Sequence, residues 1–333
     1  EAFRAGLDLY FERHDMSAVT IEDLIAALSA ASGRDLSQFS LWYDHRGTPI
    51  IRIDQNHDEE TGVLTLRIRQ TDVGGSLLPI PLHMPFGLGV MGPDGKSIPT
   101  SSDRLRGDGI LELKSAEETL VLRDVPAGYA LSCNRGFSAP VRVVTARSNK
   151  TLSLLLASDP DGFARWDAGQ ELMVRATLEH SGRPMDGADK GSLEALIKAM
   201  GQVLGRRTGD QSLLAELLTF PQIGLVANGL TDCDMDRLSQ GWIDVRRTFA
   251  AEHASALREA FHALRPQEPF SHESAAKGAR RLRAVCLDYL LEIGDQESRS
   301  LALGEVLNGN MTACSAALYA LCNYDCPERE EAL

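Results

Sequence analysis

The spacing of apolar residues changes twice along this chain, and those changes limit what it can fold into. Between about residues 47 and 157 apolar positions alternate with polar ones; before and beyond that stretch they recur every three or four residues. Alternation suits a strand with one buried face, whereas a 3.6-residue period suits a helix with one buried stripe. Leu64, Leu66 and Ile68 alternate with Thr65, Arg67 and Arg69. Met84, Phe86, Leu88 and Val90 repeat the pattern before the turn "GPDGK" at 92–96. Further strand-like runs are "ETLVLR" at 118–123, "PVRVVT" at 140–145 and "TLSLLLA" at 151–157. Short strands with Gly-, Pro- and Asp-rich connections predict a small antiparallel sandwich.

Beyond residue 158 the pattern is helical. In "DPDGFARWDAGQELMVRATLEH" at 159–180, Pro160 stands near a helix start and Phe163, Trp166, Gln170 and Met173 share a face. Phe163 and Trp166 are expected to be core anchors there. Helical runs follow at about 192–206, 211–218, 235–264, 274–293, 298–307 and 311–321. No fixed repeat length emerges, so the expectation is an irregular α-helical array.

The stretch ahead of the first strand is also helical. Phe3, Leu7, Tyr10, Phe11 and His14 line one face. Thr20 is placed as an N-cap for Ile21, Leu24, Ile25 and Leu28, with Glu22 and Asp23 in the first turn and Gly33 at the C-terminal stop. A third cluster is Leu36, Phe39, Leu41, Trp42 and Tyr43. These short helices have large apolar faces and little of their own to pack against, as parts of a larger core would. The predicted fold class is multidomain α+β: a short helical remnant at 1–46, an antiparallel β-sandwich at 47–157 and an irregular α-helical array at 158–333.

At 333 residues the chain exceeds the size at which single cores split into domains. Its net charge of -13 disfavours nucleic acid or an anionic membrane surface as partner, and no apolar run approaches the roughly 20 residues of a membrane span. Cys133, Cys233, Cys286, Cys314, Cys322 and Cys326 read as thiols of a reducing, cytoplasmic compartment, mostly buried. A zinc cluster at the C-terminal end is the lesser reading, because only Cys322 and Cys326 lie close and no histidine is near them.

Each motif that suggests chemistry lacks a part that the chemistry needs. His272-Glu273 begins like H-E-x-x-H, but Ala276 stands where the second zinc ligand belongs. His253 and His262 fit no standard metal spacing. "GLGVMG" at 87–92 matches a dinucleotide fingerprint by letter, yet a turn and another extended segment follow instead of the helix that would receive a pyrophosphate. "GKS" at 95–97 lacks the upstream glycine of a phosphate loop, since Val90 occupies that place. "DQNHDEE" at 54–60 spaces Asp54, Asn56 and Asp58 like a calcium loop but has Glu59 and Thr65 at the glycine and glutamate positions, so a solvated hairpin loop is the better reading. "GFSAP" at 136–140 ends a nucleophile-elbow pattern with Pro140. No catalytic, cofactor-binding or metal-ligating residue is assigned.

Five stretches in order, "LYFERHD", "SQFSLWYDHRGTP", "RGFSAPVRV", "DGFARWDAGQ" and "NMTA", resemble the bacterial aminopeptidase N branch of the zinc-dependent gluzincin aminopeptidases. They spread from residue 9 to residue 313, with Ala313 where an acidic residue is expected. The resemblance implies that 1–46 matches the last helices of a thermolysin-like catalytic domain, 47–157 the β-sandwich and 158–333 the first part of the helical C-terminal domain. It also implies that the zinc ligands, the general-base glutamate and the substrate-amine motif lie upstream of Glu1. The expectation is then a non-catalytic segment, inactive alone and without zinc of its own. It would scaffold and enclose the site of a cytoplasmic hydrolase that removes N-terminal residues from peptides, with the upstream catalytic domain as its partner. The alternative is a free-standing protein-interaction module.

Overall fold

The structure, a computed structural model, describes residues 1–99, 102–206, 209–228, 230–265 and 270–333. Three helices come first: α1 (Ala2–His14), α2 (Ile21–Ser32) and α3 (Ser37–Ser40), the last running into a 3-10 turn at Leu41–Tyr43. The start of α2 is held by the Thr20 N–H donating to Asp23 Oδ2 (2.9 Å), and its end by Gly33 in the left-handed region at φ 65°. Gly6 is the one buried residue of α1. A Cβ there would lie 2.6 Å from Leu28 Cδ2, so α1 and α2 cross at the glycine. Phe3 and Phe11 are 67% and 59% exposed, in line with an apolar face that has little of its own to pack against.

The sandwich strands are β1 (Ile50–Asp58), β2 (Val63–Thr71), β3 (Met84–Met91), β4 (Ser97–Ile98), β5 (Ile110–Leu113), β6 (Glu117–Leu122), β7 (Ala130–Cys133) and β8 (Arg142–Thr145). One sheet has the order β6-β2-β1-β8; the other runs β4-β3-β5, with β7 also on β3. Ile50 stands opposite Thr71 in the antiparallel β1–β2 pair, and Met84 opposite Leu113 in β3–β5. One pairing departs from the antiparallel expectation: β8 lies parallel to β1, with Ile50 opposite Arg142. Along β6 the side chains of Glu118, Leu120 and Leu122 turn inward. Glu118 is tolerated there because its carboxylate accepts from the Lys114 and Ser115 N–H groups (2.7 and 3.0 Å) and pairs with Arg104. Burial pushes its carboxyl up, but these bonds outweigh that and hold it below the usual value. Two further bonds fix the approach to β1: Trp42 Nε1 donates to the His83 carbonyl (2.8 Å) and Gln38 Nε2 to the Lys114 carbonyl (2.7 Å).

Eleven helices follow among the described residues: α4 (Asn149–Ser158), α5 (Gly162–His180), α6 (Ser192–Gly205), α7 (Gln211–Leu218), α8 (Ile223–Ala227), α9 (Met235–Glu252), α10 (Ala254–Ala263), α11 (Ser274–Ile293), α12 (Gln296–Asn308), α13 (Met311–Cys322) and α14 (Pro327–Ala332). Ser148, Asp161, Asp210, Asp234, Asp295 and Asn310 each cap the following helix, their side-chain oxygens accepting from N–H groups two or three residues on. The chain divides into two compact units. The first comprises Glu1–Gly89, Pro99–Ala127 and Cys133–Ala146; the second comprises Val90–Ile98, Gly128–Ser132 and Arg147–Leu333.

Three expectations need correction. The run 151–157, read as a strand, lies in α4. Leu152, Leu155 and Leu156 are buried at i, i+3 and i+4, and the Ser148 hydroxyl accepts from the Thr151 N–H (3.0 Å), which starts the helix. Trp166 is no core anchor: it is 38% exposed and leans on Phe163, because Ala164, Ala168, Leu172 and Ala176 form the buried face of α5. The run 235–264 breaks at His253, whose ring fills the space beside Gly201 and whose Nε2 lies 3.2 Å from the Ile197 carbonyl.

Inside the helical unit a charged group is buried. The Arg246 guanidinium donates to Glu292 Oε1 (2.8 Å) and Asp288 Oδ2 (2.7 Å) and lies over the Trp242 ring, 4.3 Å from its centroid. Tyr289, fully buried beside it, donates to the Leu218 carbonyl (2.5 Å), and burial pushes its hydroxyl well up.

Candidate functional site

The structure gives each motif a structural place. His272 and Glu273 sit just ahead of α11, with Glu273 as its N-cap, and among the described residues no group of three histidines, cysteines or carboxylates is placed to hold a metal. Among the described residues no donor set therefore fits a zinc centre. Asp54–Asp58 lie in strand β1, where Asp54 pairs with Arg69 across the hairpin (2.6 Å); only Glu59 and Glu60 lie in the turn, which Asp58 Oδ1 closes by accepting from the Glu60 and Thr61 N–H groups, so the loop expectation holds only for the end of this segment. Cys133, Cys286 and Cys326 are buried, whereas Cys322 is exposed.

Gly87 and Gly89 of "GLGVMG" lie in β3 and leave room for Arg135, a Cβ at Gly87 lying 2.7 Å from the Arg135 carbonyl, whereas Gly92 follows the strand's end. Ser138 of "GFSAP" belongs to the same turn. Its hydroxyl accepts from the Gly87 N–H (2.7 Å) and donates to Asn134 Oδ1 (3.1 Å), while Asn134 also exchanges bonds with the backbone of Ala139. Asn134 and Phe137 both hold positive φ, 53° and 49°, and Phe137 is 54% exposed. The turn is thus a rigid, strained mount for an outward-facing aromatic.

Open space with chemical character lies in the helical unit. A cavity of about 400 Å³ is bounded by α10, α11, α12 and α13 and by the segment that leads into α11. Its apolar floor comes from Phe261, Ala284, Leu287 and Ala316; its rim carries His272, Lys277, Arg280 and Arg281. Helical spacing explains the grouping, since Lys277, Arg280, Ala284 and Leu287 fall on one side of α11. Gly278 sets the height of that helix, because a Cβ there would lie 2.8 Å from Ser212 Oγ at the start of α7. Arg283 closes the back, bound through both terminal nitrogens to Glu305 and stacked 3.8 Å from the Phe261 centroid. A second, more polar cavity of about 410 Å³ shares Phe261, Arg283 and Glu305 and adds His262, Arg265 and Asn308. Sequence reasoning missed this cluster. The signal was the run "KGARRLR" at 277–283, which reads as a solvated charged face until Glu305, 22 residues on, is placed against it.

Comparison with known proteins assigns the class first. Residues 47–146 match the family described as "Domain of unknown function (DUF3458) Ig-like fold", and residues 149–333 match "Domain of unknown function (DUF3458_C) ARM repeats". Over its whole length the chain is similar to aminopeptidase N of Escherichia coli (strain K12), 32% identical over 337 residues, 99% of this chain and 38% of that protein. Aminopeptidase N of Caulobacter vibrioides is 33% identical over 335 residues, again 38% of its length. The chain therefore belongs to the DUF3458_C family, and its two DUF3458 domains match the C-terminal part of aminopeptidase N, to which it is similar over its length. It spans a little over a third of the length of these relatives. Its fold matches a crystal structure of Legionella pneumophila aminopeptidase A in complex with aspartic acid, with a TM-score of 0.82 at 23% identity, covering 100% of this chain and 38% of that one. No helix among the described residues is long and apolar enough to cross a membrane.

Proposed function

We propose that this chain is the supporting part of a cytoplasmic zinc metallo-aminopeptidase that removes N-terminal amino acids from peptides. In this reading residues 1–46 complete the catalytic domain, and the sandwich and helical array scaffold and enclose its active site. Zinc, the general base and the group that recognises the substrate amine come from the upstream catalytic domain. The residues of this chain bind that domain and hold it in place; they carry no step of the hydrolysis. The domain limits 1–46, 47–157 and 158–333 belong to the same proposal.

The observation that carries this reading is the uncovered aromatic face of α1. Phe3 and Phe11 are largely exposed, and the similarity to aminopeptidase N of Caulobacter vibrioides, which covers 100% of this chain, includes them. Covering a large apolar side chain contributes roughly 1.5–3 kcal/mol, so two together favour a partner surface there. Mixing the chain with a separately produced upstream catalytic portion should give association and zinc-dependent release of amino acids from aminoacyl chromogenic substrates. The chain alone should give neither. The double substitution Phe3→Glu, Phe11→Glu should abolish the rescue while leaving helix content unchanged. These positions are better probes than Leu28, which packs against Gly6 within the pair. A free-standing interaction module would stay monomeric at every mixing ratio, and that result would overturn the proposal.

A further inference from the structure

We infer that the cavity in front of Arg283 is a binding site for a small amphipathic anion, with an aryl or alkyl body and a carboxylate or phosphate head. The inference stands apart from the aminopeptidase reading, since it rests on this cavity alone. Its size, about 400 Å³, admits one small ligand and no folded segment. An apolar floor requires an apolar body: Phe261 and Leu287 are buried at the base, and Phe270 stands 41% exposed at the mouth.

The head group is set by charge. Among the described residues Glu305 is the only carboxylate in the lining, and it is consumed by Arg283, which holds it through both terminal nitrogens. Arg280 donates to the Ser271 carbonyl (2.9 Å) and lies 4.3 Å from the Phe270 centroid, with no carboxylate partner among the described residues. The Lys277 ammonium one helical turn earlier likewise has no carboxylate partner among them. Two cations with no paired anion among the described residues thus line this cavity, Arg280 over the Phe270 ring and Lys277 on the rim, above an apolar floor in a chain whose net charge is -13. A neutral apolar ligand would leave both cations unanswered, and a bare inorganic anion would leave the floor wet. A ligand carrying both parts satisfies the cavity; Arg280 in its fork geometry and Lys277 as a point charge can share one head group.

The test titrates the purified chain at low ionic strength by calorimetry with 4-phenylbutyrate, phenyl phosphate, 4-phenylbutan-1-ol and inorganic phosphate. At least one of the first two should bind saturably, about tenfold or more tighter than the alcohol, the difference expected from one charge-assisted hydrogen bond. Which of the two binds tighter distinguishes a carboxylate source from a phosphate source. Lys277→Glu, at an exposed position, should cost at least about tenfold, and Arg280→Gln should do the same with the thermal unfolding midpoint checked alongside. Equal binding of the alcohol, equal binding of inorganic phosphate, unchanged affinity in Lys277→Glu, or no saturable binding of either organic anion would each overturn the inference.

Discussion

Replacing Arg246 by methionine tests how the helical unit carries its buried charge. Methionine keeps the apolar stem but ends short of the guanidinium, so the change removes the charged head and its stacking on Trp242. Glu292, whose side chain is 6% exposed, then loses its ion-pair partner, whereas Asp288 at 37% recovers water. Stranding one member of a buried pair typically costs about 3–5 kcal/mol. At roughly 2–4 °C per kcal/mol for a unit of this size, the midpoint of the helical transition should fall by about 10 °C. The lost stacking on Trp242, within 4.3 Å of the guanidinium, gives a local fluorescence readout. Adding Glu292→Leu should recover most of the deficit, because the stranded charge is then gone. The assay is thermal unfolding followed at 222 nm and by tryptophan emission. A single variant within about 2 °C of the parent, or a double variant worse than the single, would refute the claim that unpaired charge dominates this site.

Gly6→Val should separate α1 from α2, because the added atoms meet the Leu28 side chain and backbone; a loss of about 1–3 kcal/mol is expected locally. Hydrogen exchange would show it as lost protection across Ala2–His14 with the sandwich unaffected. Glu118→Gln should destabilise the sandwich by about 1–3 kcal/mol at neutral pH. Glu118 titrates below its ordinary 4.5 when folded, so its contribution is full above that value and is lost as pH falls through the folded value. Unfolding curves of the two proteins should therefore converge in acid; a gap that stays constant down to about pH 2 would count against the ion-pair account.

Much of the fold was legible from local chemistry. Leu64, Leu66 and Ile68 alternate and lie buried in β2, and Thr20 and Gly33 bound α2 as their residue types require. The misreading of 151–157 shows the limit, because three consecutive leucines satisfy both periods and only the Ser148 cap breaks the tie. Trp166 failed for a related reason: its size suggested burial, but small alanines let α5 pack closely on another face. Phe3 and Phe11 formed a regular stripe, and regularity alone does not say whether its partner lies within the chain. The candidate site was less legible still. Its cations were visible as a cluster, but which of them would be neutralised depends on Glu216 and Glu305, 65 and 22 residues away from their partners. Arg246 is the same case, joined to carboxylates 42 and 46 residues on.

The caps along the helical array have a consequence for how it folds. Ser148, Asp161, Asp210, Asp234, Asp295 and Asn310 each mark a helix start through a bond to their own near neighbours. Nucleation, the slow step of helix formation, is thereby biased to fixed points before any distant contact exists. Contacts between helices adjacent in sequence then close short loops, which favours fast folding. Substitutions at long-range contacts such as Arg246 fall on the other side of that barrier and should chiefly hasten unfolding. Lifetime and register are thus set by different residues: the caps decide where each helix begins, and the distant ion pairs decide how long the array stays closed.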